Sequence, residues 1–175
     1  MADDLLYLCA AQLLDVTVAA LDDPPVRQFV HVTEPVEQCP HVAVWVRELA
    51  QATLGTARGG QQPGMPTTRT GQVTARLVVQ VMRDCFPVFD PDAEEPDPST
   101  IDAAARLVLI DRQDVWTALR AAAADGSMFA GILAHGRDGT EVSAPATISP
   151  QSGGGMIGSR FEVYTHLLRH EPAGS

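Results

Sequence analysis

The strongest constraint on the fold is one amphipathic stretch, residues 99–124, with the sequence STIDAAARLVLIDRQDVWTALRAAAA. Its apolar residues recur at the three- and four-residue spacing of an α-helix. Ser99 or Thr100 is placed to cap the start, and Gly126 is free to take the left-handed conformation that ends helices. A helix with one apolar face needs a sheet to cover, so we expect the rest of the chain to supply that sheet. The apolar stripe consists of Ile101, Ala104, Val108, Val115, Ala118 and Leu119.

The flanking segments predict a second helix and six strands. Residues 3–23 have one apolar helical face, whereas residues 72–83 alternate with the two-residue period of a strand. Pro145 weakens the strand that contains it and favours an edge position for that strand. In chain order, we predict a helix at 3–23, strands at 26–33, 41–54 and 72–83, the helix at 99–124, and strands at 127–135, 141–150 and 156–170.

This order of elements, α-β-β-β-α-β-β-β, predicts an α+β fold. Consecutive strands with short connections favour antiparallel pairing, and both helices are expected to cover one face of the sheet. A chain of 175 residues is most simply one domain, and it is long enough for a core of its own. We therefore predict a single two-layer domain over residues 1–175, with a mainly antiparallel sheet covered by two helices.

Three segments lack the periodicity of a helix or a strand. Residues 55–71 contain five glycines and two prolines, and we expect a flexible loop of a length that is usually functional or disordered. Residues 84–99 are rich in acids and prolines, which is typical of a solvated linker. Residues 151–158 are rich in glycine and predict a second flexible loop.

Composition excludes several classes of function. All 12 cationic residues are arginines. The net charge is -10, so we expect no specific binding to the phosphates of nucleic acids. The absence of lysine is typical of GC-rich coding and points to a bacterial or phage genome. Three cysteines form no disulfide framework, and no apolar run approaches the roughly 20 residues that span a bilayer. We expect synthesis in a bacterial cytoplasm and no membrane association.

Catalytic motifs are not evident in the sequence. No G-x-S-x-G, H-E-x-x-H or P-loop pattern occurs, and the glycine-rich segment lacks a following helix and a lysine. His31, Cys39 and His41 could meet across neighbouring strands, but no second pair of ligands stands at zinc-finger spacing. We therefore predict no catalytic residue, no cofactor and no metal site.

One acid falls on or beside the apolar stripe of the central helix. Asp111 lies between Val108 and Val115, so it is either buried and hydrogen-bonded or directed at a partner subunit. The large aromatic residues Trp45 and Trp116 are expected to anchor the core or an interface.

Several groups of residues together resemble the tail terminator proteins of long-tailed bacteriophages, also described as neck or head–tail joining proteins. A helical start leads into PPVRQFVHV and EQCPHVAVWVREL, a Gly, Gln and Pro loop precedes ARLVVQVMRDCFPV, and an acidic link leads to IDAAARLVLIDRQDVWTALRAA. A glycine loop then precedes the closing strand SRFEVYTHL. The resemblance covers most of the chain and is a pattern of elements, not a signature motif.

The resemblance implies a structural virion protein of the tail or neck region and not an enzyme. In that family a small α+β subunit closes a ring, usually a hexamer, which caps the tail tube, stops its polymerisation and joins the tail to the head connector. The partners would be further copies of the chain, the tail tube protein, and a connector or head completion protein. DNA would pass through an acidic lumen without specific binding. The residues that we expect at interfaces are Arg58, Arg69, Asp111, Arg112, Trp116, Met156 and Arg160.

Three other interpretations remain open. The chain could be a head completion, connector or other neck protein. It could be a small enzyme or ligand-binding domain with a pocket built on His31, Cys39, His41 and Asp111, or a bacterial regulatory or adaptor domain that forms a monomer or dimer.

Overall fold

The computed structural model describes residues 2–34, 40–51, 73–86, 97–133, 139–148 and 155–167. Within these ranges the chain is a single α+β domain, and both the predicted class and the order α-β-β-β-α-β-β-β are confirmed. The elements are α1 (Ala2–Ala19), β1 (Gln28–His31), β2 (His41–Gln51), β3 (Val73–Phe86), α2 (Pro98–Asp125), β4 (Thr140–Val142), β5 (Ala146–Ile148) and β6 (Gly155–His166).

The strand β3 is the centre of the sheet. It pairs antiparallel with β2 on one side and with β6 on the other, and the strand order is β1-β2-β3-β6-β4, with β5 also paired to β6. The sequence of β3 explains this position, because its β-branched residues are those that pack well on a pleated surface with neighbours on both sides. Two of its positions, Leu77 and Val79, are fully buried beneath the helices.

The main core lies between the helices and one face of the sheet. Alternate residues of the three long strands face this core, as the two-residue period of a strand requires. Both helices contribute apolar side chains at helical spacing to the same cluster. The strand residues are Val42, Val44, Ala75, Leu77, Val79, Val81, Phe161 and Val163, and the helix residues are Leu6, Cys9, Ala10, Leu13, Val115, Leu119, Ala122 and Ala123.

Helix α2 begins earlier than the sequence predicts. Asp97 is its N-cap, and its side chain accepts a hydrogen bond from the backbone N–H of Ser99 at 3.2 Å. Pro98 occupies the first turn, where its missing N–H leaves no helical hydrogen bond unmade. The predicted caps, Ser99 and Thr100, are therefore wrong, because both already lie inside the helix. Of the predicted stripe, Ile101 is exposed, whereas Ala104, Val108, Val115 and Leu119 are buried.

The predicted strand at 127–135 is wrong over its described part. Gly126 ends α2 in the left-handed conformation, as predicted, with φ of 80°. Residues 128–132 then form successive turns, and the N–H of Leu133 donates to the carbonyl of Phe129 at 3.0 Å. The apolar residues here are spaced by three and four positions and do not alternate, so turns bury them better than a strand does. The buried members are Met128, Phe129 and Leu133.

The two edges of the sheet differ in how they form. Pro145 interrupts the predicted strand 141–150, which becomes β4 and β5 on the outer side of β6, so its edge position is confirmed. At the other edge β1 runs parallel to β2, with Val30 opposite Val44. The expected antiparallel pairing of consecutive strands fails here, and the sequence between β1 and β2, residues 32–40, is longer than a two-residue hairpin turn.

Two β-bulges place an arginine as the extra residue of a strand. The pairing of β2 with β3 shifts between Val46 and Glu48, which leaves Arg47 unpaired. The pairing of β3 with β6 shifts between Met82 and Asp84, which leaves Arg83 unpaired. Bulges re-aim side chains, and both arginines make ion pairs that are described below.

The predicted connections overlap partly with regular structure. Residues 84–86 belong to β3 and residues 155–158 to β6, so the predicted linker 84–99 and loop 151–158 are shorter than expected. Residues 151–154 of that loop and residues 87–96 of the linker lie outside the described residues. The predicted loop 55–71 lies wholly outside them.

Candidate assembly surface

A charged network crosses the face of the sheet that points away from both helices. Its centre is Glu162 of β6, whose carboxylate accepts hydrogen bonds from Arg76 Nη2 at 2.5 Å and from the hydroxyl of Tyr164 at 2.8 Å. Arg47, the bulged residue of β2, donates from Nη1 at 3.3 Å. Arg76 also lies 3.7 Å from the carboxylate of Glu48. We call this set the Glu162 cluster: Arg47, Glu48, Arg76, Glu162 and Tyr164.

The cluster favours the charged forms of Glu162 and Arg76 and the neutral form of Tyr164. Partial burial would by itself raise the pKa of Glu162, but hydrogen bonds from Arg76 and Tyr164 and the charges of Arg76 and Arg47 outweigh it, so this pKa lies below its ordinary value. The hydrogen bond to Glu162 raises the pKa of Arg76. Burial, followed by the hydrogen bond to Glu162, raises the pKa of Tyr164. General acid–base catalysis needs a pKa near the working pH, so this geometry favours recognition or structural support over proton transfer.

Arg160, a predicted interface residue, lies on the same face beside the cluster. Its guanidinium stands over the ring of Trp45 at 5.5 Å from the centroid, a cation–π contact. Nη2 donates to Gln80 at 3.3 Å and to the carboxylate of Glu34. Arg160 therefore connects β6 to β3, to β2 and to the segment that follows β1, and it remains partly accessible at the surface.

Asp111 is buried and paired within the subunit. Its carboxylate accepts two hydrogen bonds from Arg83, from Nε at 2.5 Å and from Nη2 at 2.8 Å. The third donor of that guanidinium, Nη1, reaches the backbone carbonyl of Asp23 at 2.5 Å. Of the two alternatives for Asp111, the structure shows the buried one. Asp111 thus belongs to the core and not to the surface, which corrects its expected place at an interface.

Two further predicted residues of α2 are partly exposed. Arg112 donates from Nη1 to the hydroxyl of Thr147 at 2.8 Å and so ties α2 to the edge strand β5. Trp116 packs against the main core, and the guanidinium of Arg120 covers its ring at 5.0 Å. The indole Nε1 of Trp116 has no hydrogen-bond partner within the described ranges.

The histidines singled out by the sequence lie on neighbouring strands, as expected. The ring of Phe29 lies between them, 6.1 Å from the ring of His31 and 5.5 Å from that of His41. His31 is exposed and bonded to Thr33, whereas His41 is buried. Cys39 lies outside the described residues. In the part of the chain that the structure describes, no three His, Cys, Asp or Glu side chains are grouped so as to hold a metal ion.

The other expected interface residues are only partly placed. Arg58 and Arg69 lie outside the described residues. Met156 lies in β6 opposite Cys85 of β3, within the predicted strand 156–170.

The sequence reasoning missed the partners in both ion-pair networks. Arg83 and Glu162 were not singled out, although a signal for Glu162 exists. In the run SRFEVYTH, polar residues at 160, 162 and 164 alternate with apolar ones at 161 and 163, which predicts one polar face for β6. For Arg83 the alternation of β3 is itself a signal, because it continues the face of Val79 and Val81, which the helices cover.

An apolar surface on α2 accompanies these polar features. Four large apolar side chains in the first half of the helix are exposed, although the second half of the same helix is packed into the core. Exposed apolar patches of this kind mark interaction sites more often than isolated apolar side chains do. The four are Ile101, Leu107, Leu109 and Ile110.

Comparison with known proteins identifies no relative. No protein-family model matches the chain, and no curated protein matches it in sequence. Within the described ranges, no helix combines the length and the apolar character that crossing a bilayer requires.

Proposed function

We propose that this chain is a structural subunit of a long-tailed bacteriophage that assembles into a ring at the head-proximal end of the tail tube. The ring stops polymerisation of the tube and joins the tail to the head connector, and DNA passes through its lumen. The observation that carries the proposal is the α-β-β-β-α-β-β-β order on a two-layer domain, which is the order on which the resemblance to tail terminators rests.

The surface chemistry supports assembly in preference to catalysis. The charged groups of the Glu162 cluster neutralise one another. The pKa of Glu162 is lowered and that of Arg76 is raised, both away from the range that proton transfer near neutral pH requires. The exposed apolar side chains of α2 supply the desolvated centre that a protein interface needs, and Arg112 and Trp116 lie on the same helix.

The charge of the chain supports a lumen that DNA crosses without binding. Exposed acids outnumber exposed arginines in the described ranges, and negative charge repels phosphates at short range. The exposed acids are Asp15, Asp22, Asp23, Glu34, Glu48, Asp97, Asp102, Asp114 and Asp125, and the exposed arginines are Arg27, Arg47, Arg106 and Arg120. We place the protein in the tail or neck of the virion after synthesis in the cytoplasm of the bacterial host.

The test is the assembly state with and without tail tubes. The purified protein is measured by light scattering after size-exclusion chromatography and imaged by negative-stain electron microscopy, alone and mixed with purified tubes. We expect rings with a mass near six times the 18.6 kDa subunit, or caps at one end of the tubes. Tubes without added protein are the control for end structures.

Two outcomes would contradict the proposal. A protein that stays monomeric both alone and with tubes does not form the ring. Rings that bind isolated head connectors and never tube ends would indicate a head completion or other neck protein instead.

A further inference from the structure

The two helices run antiparallel, and α2 continues past the end of α1. Gln12 in the middle of α1 donates to the carbonyl of Ser127, which directly follows the end of α2, at 3.4 Å. The guanidinium of Arg83 donates hydrogen bonds both to the carbonyl of Asp23, which follows α1, and to the carboxylate of Asp111 in α2. Asp23 and Asp111 therefore lie at similar positions along the helical layer. The 13 residues of α2 before Asp111 therefore extend beyond α1 by about 20 Å, at 1.5 Å of rise per residue. We call residues 98–110 the α2 overhang.

The overhang exposes large apolar side chains that point away from the buried stripe of the helix. Leu109 and Ile110 are 53% and 54% exposed, and Ile110 lies nearly opposite the buried stripe of the helix. Within the described residues, a small buried cluster of Ala104 and Val108 with Ile157 of β6 joins the overhang to the sheet. Its charges balance, because Arg106 pairs with Asp102 at 2.9 Å. This surface is suited to an uncharged, apolar partner.

A second apolar patch lies at the other end of the helical layer. Tyr7 and Leu8, in the first half of α1, are both exposed. Because the helices are antiparallel, this half of α1 lies near the C-terminal end of α2 and far from the overhang. One subunit thus carries two different apolar helical patches at opposite ends of one layer. A head-to-tail contact, in which unlike patches of successive copies meet, requires this arrangement.

We infer that the α2 overhang of one copy packs against the Tyr7–Leu8 patch of the next copy. The inference rests on the proposed ring and specifies which surfaces close it. In such a contact the four exposed apolar side chains of one overhang would face the two of the next copy's α1, so the six form one apolar centre only across the interface. Together with a polar rim they fit the core of a contact of about 800 Å² per partner, which is the standard size of a stable interface.

The experiment uses one variant for each patch. Leu109→Gln with Ile110→Gln alters the overhang, and Tyr7→Ser with Leu8→Gln alters the patch on α1. Each variant alone is expected to lose the ring and to run as a monomer, with subunit affinity at least about 100-fold weaker. An equimolar mixture is expected to form dimers and nothing larger, because each variant retains the one patch that the other lacks.

The matched control is Val26→Gln with Val32→Gln, which replaces two apolar side chains, 97% and 88% exposed, outside both patches. This control is expected to keep the ring of the unaltered protein. Circular dichroism of each variant verifies that the helices remain folded, which the exposure of the replaced side chains leads us to expect.

The outcomes separate the inference from the proposed function. A ring that survives in either patch variant, or a mixture that stays monomeric, overturns the inference and leaves the proposed ring intact. Variants that still form rings but no longer bind tubes also overturn the inference. In that case the altered patch contacts the tube and not the next copy. An unaltered protein that is monomeric alone and with tubes overturns the proposed ring, and the inference with it.

Discussion

Arg83 binds Asp111 through two parallel hydrogen bonds of 2.5 and 2.8 Å, and this pair joins the bulged end of β3 to the middle of α2. Both side chains are buried, and the third donor of Arg83 reaches the carbonyl of Asp23 beyond α1. One guanidinium therefore fixes the relative positions of the sheet and both helices. The α2 overhang begins beside this ion pair, which also contacts the segment that follows α1.

Removal of one member of this pair is expected to destabilise the fold strongly. Arg83→Met leaves the carboxylate of Asp111 buried without its cation, at a cost of about 3–5 kcal/mol in the free energy of unfolding. Replacing both, with Arg83→Met and Asp111→Leu, is expected to recover most of that loss, since no charge is then left buried. Urea denaturation monitored by circular dichroism measures both values.

The exposed pair Asp102–Arg106 on the same helix is the control for these variants. Arg106→Met is expected to change stability little, because this pair is largely solvated. An Arg83→Met variant as stable as the Arg106→Met variant would show that the buried pair contributes no more to the free energy of unfolding than the exposed pair does.

Gly158 is required by the close approach of β3 and β6. A Cβ at this position would lie 2.4 Å from the carbonyl oxygen of Val81 and 2.5 Å from the sulfur of Met82. We expect Gly158→Ala to cost about 3 kcal/mol or more, because the backbone of β3 must move to admit the methyl group. Thermal and urea unfolding measure this loss.

Gly131 offers a matched control for that substitution. It has a left-handed φ of 78°, and nothing lies within 4 Å of the Cβ position. Gly131→Asn, with a residue that tolerates this conformation, is therefore expected to change stability by less than about 1 kcal/mol. Equal losses for Gly158→Ala and Gly131→Asn would contradict the close packing of the two strands.

The Glu162 cluster predicts a specific dependence of stability on pH. The folded-state pKa of Glu162 lies below the ordinary value of 4.5, so the folded state binds the proton less readily than the unfolded chain. The stabilisation is therefore complete at pH values above the unfolded pKa and disappears as the pH falls through the lower folded pKa. Glu162→Gln should be less stable than the unaltered protein at pH 7, and this difference should shrink below about pH 4.5.

Urea denaturation at a series of pH values from 7 to 3 measures that difference. Glu48→Gln is the control, because Glu48 is more exposed and contacts Arg76 only at 3.7 Å. A difference between Glu162→Gln and the unaltered protein that is constant over this range would exclude the ionised carboxylate as its source.

Cys9 is expected to be unreactive in the folded protein. Burial raises the pKa of its thiol to about 12, so almost no thiolate exists at neutral pH, and the side chain is inaccessible in the core. In a variant with Cys9 as the sole cysteine, made with Cys39→Ser and Cys85→Ser, alkylation by iodoacetamide should proceed only at the rate of unfolding. Rapid labelling at pH 8 without denaturant would place Cys9 at an accessible surface instead.

Local patterns in the sequence predicted much of the fold. The apolar spacing of α2, the stop at Gly126, the alternation of β3 and the edge position of the strand with Pro145 all appear in the structure. Each of these depends on residues within one or two turns of helix or within a single strand. The prediction failed at residues 127–133, where spacing by three and four positions was taken as a strand and turns bury the apolar side chains.

The candidate surface was much less predictable. The expected interface residues Arg112, Trp116 and Arg160 were placed at or near a surface, but the partners of Glu162 and Asp111 could not be inferred. Arg76 and Glu162 are 86 residues apart in the chain, and Arg83 and Asp111 are 28 apart. Such contacts depend on strand register and on two bulges, for which the sequence shows no local signal.

The sequence by itself determined the α+β class, the order of the elements and the acidic, lysine-free character of the chain, because these follow from periodicity and composition. Only the tertiary structure decided which charges are buried, that β1 runs parallel to β2, and that, among the described elements, the first half of α2 extends beyond α1. The physical reason is that burial and pairing are properties of residues brought together from distant parts of the chain. The exposure of Leu109 and Ile110 illustrates this, since no local pattern in the sequence marks these two apolar residues as lying outside the core.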